Sequence, residues 1–265
     1  MFNLRFAFDY FLHQINAKTR HGIHSPFVYR LADEVLYDDS EKKVYAEIEQ
    51  LRNVLYADDR VINITDLGAG SSINKNNKKR ISDIAKNSLK RPQLAQLLYR
   101  LVVNQKPKNM IELGTCLGIT SMYLQNAAPE AKLFTLEGCI EIAEVAQNVF
   151  SKAGRNDIEL VIGNFDHTLP IILNQLKRID FVFVDGNHQK QATINYFEWC
   201  LPKVHDGTLL IFDDIYWSQG MKEAWQHIKK HPKVTVTIDL FWIGLVFFRN
   251  GQVKEDFMLN HKCFY

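Results

Sequence analysis

MIELGTCLGIT, Met110 to Thr120, is an apolar run that meets a carboxylate and then a glycine-framed turn. An α/β sheet offers a nucleotide its strand end in this way. The turn by itself is a weak signal, because glycine also serves plain tight turns through its permissive backbone. Gly114 and Gly118 enclose Thr115, Cys116 and Leu117, so the dinucleotide pattern G-x-G-x-x-G is not met. The middle glycine that admits a pyrophosphate is missing, and a cofactor without phosphates fits better.

A second acid closes the next unit. Glu137, in KLFTLEG, lies 25 positions after Glu112, about the spacing of a ribose-binding acid in a βαβ unit. ITSMYLQNA between them reads as the crossover helix. A carboxylate at an otherwise apolar strand end accepts hydrogen bonds from both ribose hydroxyls. The alternative is a solvated strand-end glutamate.

ELGTCLGIT, LEG, VIGNFD, DFVFVDGNH and GTLLIFDDIYW, in that order and spacing, resemble the class I S-adenosylmethionine-dependent methyltransferases. The likeness is strongest to the small-molecule O-methyltransferase branch, the relatives of catechol, cephalosporin and macrolide O-methyltransferases. It covers Arg91 to Arg249 and rests on the joint pattern. The fold it implies is α/β, a Rossmann-like doubly wound sheet of seven strands.

The order of elements agrees. From PQLAQLLYRLV onward helix and strand alternate, as in a parallel sheet. KNMIELG, KLFTLE, IELVIGN, IDFVFVD and GTLLIFDD are the strands, and KVTVTIDLF with WIGLVFFRN reads as a C-terminal antiparallel hairpin. Before residue 90 the pattern is mainly helical: a segment from Phe2, a turn at HGIHSPF, then VYRLADEVLY and EKKVYAEIEQLRNVLY. The division expected is a helical extension or cap over residues 1–90 and a methyltransferase domain over 91–265. A look-alike turn, VINITDLGAGSS from Val61 to Ser72, finds no strand and no ribose acid downstream. It reads as a loop or short hairpin of the N-terminal region, placed to lie over the active-site mouth.

Composition sets bounds. The 265 residues are 46% hydrophobic and 23% charged, an ordinary globular balance. Thirty-two basic against 30 acidic residues leave +2, which argues for neither nucleic acid nor an anionic membrane as partner. KNNKKR, Lys75 to Arg80, reads as a solvated loop. Cys116, Cys139, Cys200 and Cys263 have no metal-ligand spacing, so reduced thiols in a cytoplasmic protein are expected. Cys116 lacks a neighbouring base and reads as a packing residue. MFNLRFAFDYFLHQI, broken by Arg5 and Asp9, is neither a signal peptide nor a span. Its aromatics suit a homodimer partner or closure over the chain's own site.

By resemblance, Gly114, Thr115, Gly118 and Thr120 shape the pocket for the methionine part, with Glu112 near its cationic end. Glu137 holds the ribose, and Gly163, Asn164, Phe165 and Asp166 meet the adenine; core packing is the other reading of Phe165. Asp185 ends the fourth strand of the alternating region, and Asp213 and Asp214 end the fifth. Three carboxylates at one edge repel one another unless protonated or bridged, and Mg2+ or another divalent cation would relieve this. The positions match the metal ligands of the catechol-type enzymes, except that Asp214 stands where Asn is usual. The alternative has Asp185 and Asp213 hydrogen-bonding cofactor and turns with no metal. Asp185 is accordingly a catalytic, cofactor-binding and metal-binding candidate together.

His188, in DGNH, stands where the macrolide-type branch places its base and the catechol enzymes a lysine. A histidine suits removal of a hydroxyl proton near neutrality. His21 and His24 alone do not make a metal site. Tyr216, Trp217 and Trp242 are either acceptor-pocket walls or core aromatics. The expected activity is in-line methyl transfer from S-adenosylmethionine to a hydroxyl of a small molecule. The alternatives are a non-catalytic S-adenosylmethionine-binding module that acts through a protein partner, and a methyltransferase with a nitrogen or macromolecular acceptor.

Overall fold

The computed structural model describes residues 4–19, 22–65 and 77–261. The look-alike turn from Asp66 onward, His21 and Cys263 lie outside the described residues. Strands β1 (Val61–Asn63) and β2 (Lys78–Arg80) pair antiparallel, so the described ends of that segment form a hairpin. The main sheet holds β3 (Asn109–Leu113), β4 (Lys132–Glu137), β5 (Ile158–Ile162), β6 (Phe181–Val184), β7 (Leu209–Asp213), β8 (Val236–Asp239), β9 (Ile243–Phe247) and β10 (Glu255–Met258). The helices are α1 (Leu4–Asn16), α2 (Pro26–Leu31), α3 (Lys43–Tyr56), α4 (Ile81–Ser88), α5 (Pro92–Gln105), α6 (Ile119–Ala127), α7 (Ile140–Lys152), α8 (Phe165–Gln175), α9 (Lys190–Cys200) and α10 (Gln219–Lys230).

Strand order is β10-β8-β9-β7-β6-β3-β4-β5. Only β9 runs against its neighbours in this sheet. The β8–β9 hairpin is present as expected, but the sheet has eight strands, not seven. The additional one, β10, pairs parallel to β8. Its sequence, EDFM, is half polar and carries no apolar alternation, as an edge strand allows.

FVFV and LLIFD are buried throughout because a parallel sheet is covered on both faces. Successive residues serve opposite layers. Met110, Leu133, Phe181, Phe183, Leu209 and Ile211 face one core with α2 to α7. Ile111, Leu113, Phe134, Val182, Val184 and Phe212 face the other with α8, α9 and α10. The N-terminal helices thus share a core with the sheet: Val28, Tyr45, Ile48 and Ile84 pack in the first layer with β3 and β6.

The chain order turns outward from β3 and β6 in opposite directions, the switch point at whose carboxyl ends a doubly wound sheet places its ligands. Helix α1 docks near the carboxyl end of β8. His13 Nε2 lies 3.1 Å from Asp239 Oδ1, and Lys222 Nζ lies 2.6 Å from Asp9 Oδ1. The other side of α1 leaves Leu4, Phe8, Phe11 and Ile15 exposed. Among the described residues no helix is long and apolar enough to cross a membrane.

Candidate active site at the carboxyl ends of the strands

The glycine turn closes against the neighbouring strand. Gly114 has φ +101°, and a Cβ there would lie 2.1 Å from the Asp185 carbonyl oxygen. Only glycine lets the ends of β3 and β6 approach so closely. The amide of Asp185 donates to Leu113 O at 2.8 Å and that of Gly114 to Leu136 O at 2.9 Å, so three strand ends are tied together. Gly118, at φ +83°, leads into α6 over the Phe150 ring.

Below the turn the polar side chains face inward. Glu112 is fully buried, with Oε2 accepting from Thr135 Oγ1 at 2.6 Å and from Ser121 Oγ. Thr115 Oγ1 lies 2.6 Å from the same Thr135 hydroxyl. Burial pushes the Glu112 carboxyl up to about 7 against those hydrogen bonds. Its Oε1 is buried without a hydrogen-bond partner among the described residues. Thr120 is buried as well.

Glu137 spans the other side of the turn. Its Oε2 accepts from the Cys116 amide at 2.9 Å and its Oε1 from the Cys139 amide at 3.0 Å. Burial raises its carboxyl above the ordinary range while those amides oppose the shift. The Gly138 amide bonds it as well, and a carboxylate has about four acceptor positions, so not all are taken. The β1–β2 hairpin is anchored next to it, with Asn63 Nδ2 donating to Glu141 Oε1 at 2.9 Å. Cys116 has no base at hand, and burial pushes its thiol up to about 12, which suits a packing role.

After β5, Gly163 has φ +143°. Asn164 caps α8 by accepting from the Asp166 amide at 2.8 Å, and Asp166 is exposed in the first helical turn. Phe165 lies edge-on to Tyr196 at 6.1 Å and covers Gly186, where a Cβ would come within 2.7 Å of its ring. Asn164 and Phe165 therefore have local partners before any ligand is considered.

Asp185, Asp213, Asp214 and His188 do converge, and sequence reasoning missed the residue at their centre. Lys90 Nζ lies 2.9 Å from Asp185 Oδ1 and contacts Asp213 Oδ2. The exposures of these side chains are 17% for Lys90, 13% for Asp185 and 2% for Asp213. The delivery is local: Leu89 and Arg91 are extended, and Pro92 opens α5. A residue before proline is driven out of helical geometry, so the helix cannot continue through Arg91 and the short link between α4 and α5 leaves Lys90 at the sheet edge. The loops after β6 and β7 turn sharply, with Asn187 and Asp214 in left-handed conformations.

Burial alone would lower the Lys90 ammonium, but the carboxylates of Asp185, Asp213 and Asp214 hold it well above the ordinary lysine range. Burial, with Asp213 and Asp214 nearby, raises Asp185 despite the lysine. Burial and the charge of Asp213 push Asp214 up to about 7. One ammonium answers one carboxylate, and the remaining acids hold a proton more readily. His188 Nε2 stands 3.8 Å from both Asp185 Oδ1 and Asp214 Oδ2. Burial lowers its pKa below the ordinary value, which keeps the imidazole neutral near pH 7.

One donor atom each from Asp185, His188 and Asp213 lies within 4.8 Å of the others, close enough to suggest a metal. Yet the Lys90 ammonium already bridges two of the three. A dication there would face an ammonium at contact distance with two of its oxygens taken, so the residues as arranged do not fit the expected divalent ion. The repulsion inferred from sequence is real, but a lysine relieves it.

The three candidate wall aromatics separate. Tyr216 stacks on Phe241 at 4.8 Å and donates to Asp239 Oδ2 at 2.9 Å. Trp242 packs on Phe6 and Phe241. Both belong to the aromatic contact that seats α1, whereas Trp217 is exposed. A groove of about 620 Å³ between α1 and α10, lined by Asp9, His13, Tyr216, Lys222 and Trp225, includes neither the glycine turn nor the carboxylate cluster.

Residues 111–215 match the family model described as a methyltransferase domain. This part of the chain is similar to that domain. It contains every carboxylate of the cluster, the glycine turn and His188; Lys90 lies outside it. The chain is 29% identical over 127 residues to the catechol O-methyltransferase of Niastella koreensis, covering 47% of this chain and 57% of that protein. It is 29% identical over 128 residues to a probable O-methyltransferase of Mycobacterium tuberculosis, covering 45% and 54%. The chain thus spans about half the length of these curated relatives. The fold is shared with the Bacillus cereus O-methyltransferase in complex with SAH, at TM-score 0.57, 21% identity, and 82% and 94% coverage. It is shared also with the Streptomyces achromogenes O-methyltransferase TomG in complex with SAM, at TM-score 0.57, 19% identity, and 84% and 95% coverage.

Proposed function

We propose that this chain is an S-adenosylmethionine-dependent methyltransferase that acts on a hydroxyl of a small molecule. The observation that carries the reading is the placement of a half-buried imidazole, His188, with its pKa lowered, 3.8 Å from two strand-end carboxylates beside a glycine turn that admits no phosphate pattern. The names of the relatives, and the SAH and SAM held by proteins of this fold, point the same way.

In this reading Glu137 turns its remaining acceptor capacity to the ribose hydroxyls. The unpartnered Glu112 Oε1 supplies a buried acceptor near the methionine ammonium. Gly114, Thr115, Gly118 and Thr120 shape that end of the pocket, while Gly163 to Asp166 border the adenine. When bound, S-adenosylmethionine supplies a methyl whose bond to sulfur breaks, with the pair left on sulfur, as the acceptor oxygen bonds to carbon. His188 takes the hydroxyl proton, and Asp185 and Asp214 stabilise the imidazolium formed. Residues 1–90 act as a cap on the methyltransferase domain of residues 91–265, and Lys90 is where the cap reaches the chemistry.

Calorimetric titration with S-adenosylmethionine, followed by mass spectrometry of products from a panel of phenols and aliphatic alcohols, tests the proposal. One bound cofactor per chain and a methylated product are expected. No cofactor binding sinks the reading; binding without methylation of any acceptor class favours a cofactor-binding module.

A further inference from the structure

We propose that Lys90 is the resident cation of this site: its ammonium occupies the place between Asp185 and Asp213 that a divalent ion would need, and it binds the acceptor's oxygen in place of a metal. The role toward the acceptor rests on the methyl-transfer reading above; the occupation of the cation position does not.

Three features carry it. First, the ammonium touches both carboxylates, at 2.9 Å from Asp185 Oδ1 and in closer contact with Asp213 Oδ2. Two of the three donor groups that cluster within 4.8 Å are thereby used. Second, Lys90 is held there by the backbone. The link from Leu89 to Arg91 is non-helical and Pro92 opens α5. Leu94, Leu97, Leu98 and Leu101 then lock that helix into the core shared with β3 and β6. Withdrawing the lysine to admit a metal would require its four-carbon stem to leave a site in which the side chain is 17% exposed. Third, an ammonium has three donors. Asp185 and Asp213 take two, and one is left for an oxygen that gains negative charge as His188 removes its proton.

The difference reaches substrate choice. A divalent ion chelates two neighbouring oxygens at once, whereas a single N–H donor binds one. The acceptor class assigned by Lys90 is therefore a compound with one acidic hydroxyl, such as a monophenol, and a vicinal diol gains nothing from its second oxygen.

Manganese titration followed by electron paramagnetic resonance of free Mn2+ reads the claim without turnover. Full-length wild type, Lys90→Gln and Lys90→Arg are compared after chelator treatment and after thermal melting confirms that each is folded. Wild type and Lys90→Arg are expected to leave Mn2+ free, while Lys90→Gln opens the carboxylate pair and binds one ion at least about tenfold more tightly. Stoichiometric Mn2+ binding by wild type overturns the proposal, and this arm does not depend on any variant folding. A folded Lys90→Gln that gains no ion also overturns it. For the acceptor, methyl transfer by wild type is expected to survive chelator, with monophenols and matched vicinal diols differing less than about threefold in kcat/KM; chelator-sensitive transfer restored by Mg2+ overturns that part. Failure to bind S-adenosylmethionine would instead sink the methyl-transfer reading and leave the manganese result standing.

Discussion

Gly114→Ala places a methyl group where the structure has a backbone oxygen. The added Cβ would lie 2.1 Å from Asp185 O, and φ +101° is a conformation that alanine resists. Left-handed backbone costs about 1–2 kcal/mol for a residue with a Cβ, and overpacking against a neighbour that cannot rotate away costs about 1–3 kcal/mol more. The oxygen belongs to the strand-end backbone, held by the Asp185 amide's 2.8 Å hydrogen bond to Leu113 O, so relief means parting β3 from β6. The expected loss is about 2–5 kcal/mol, which for a chain of this size lowers Tm on the order of 10 °C. Gly154→Ala is the control. Its φ is +68° and nothing lies within 4 Å of the new Cβ, so it should show the conformational part alone, about 1 kcal/mol. Urea unfolding followed by circular dichroism measures both. A Gly114→Ala protein no less stable than Gly154→Ala would refute the claim that close approach of the two strands, and not the turn conformation, demands this glycine.

His188→Ala should lower kcat by roughly 10²–10⁴ with cofactor affinity in calorimetry little changed; in wild type the rate should rise with pH through a midpoint below 6.5, since burial lowers the imidazole and only its neutral form takes a proton. Asp239→Ala should cost about 3–5 kcal/mol, because Trp225 Nε1 at 3.0 Å, Tyr216 OH at 2.9 Å and the Phe241 amide at 2.9 Å lose their acceptor. Hydrogen exchange should then rise across α1, and unchanged protection there would argue against Asp239 as its anchor. His261, buried and hydrogen-bonded to Leu36 O, is lowered to about 4 chiefly by burial. The unfolded chain binds its proton first, so stability should fall as pH drops from about 6.5 to 4, by up to roughly 3 kcal/mol. His261→Gln should remove that part of the pH slope in urea titrations between those limits.

The strand and helix readings came through where the pattern was strong and local. ITSMYLQNA is α6 from Ile119 to Ala127, and the FVFV and LLIFD runs are interior strands. β10 was illegible because an edge strand needs little apolar alternation, and its pairing with β8 is set by where the chain's last turn falls. In the candidate site, the acids that end β6 and β7 were legible as a cluster because strand ends in a doubly wound sheet must meet at one edge. Lys90 was not legible: in NSLKRPQ it is one of two adjacent basic residues beside a helix. The charge argument could be read but not its answer, since three gathered carboxylates call for a cation and do not say whether it comes as an ion or on a side chain. Glu112 shows the same limit. Its place at the strand end could be read, but not that one oxygen turns to Ser121 and Thr135.

What the sequence alone determined was the order of units and the edge at which their ends collect. Period-two and period-3.6 patterns are local, and right-handed crossovers leave a run of βα units with few ways to assemble. What only the tertiary structure decided was the company each acid keeps. Lys90 and Asp213 are 123 positions apart, and their meeting depends on how α4 and α5 seat their apolar faces on the sheet. That is a matter of side-chain volume and close packing over many residues, and no short stretch of sequence carries it.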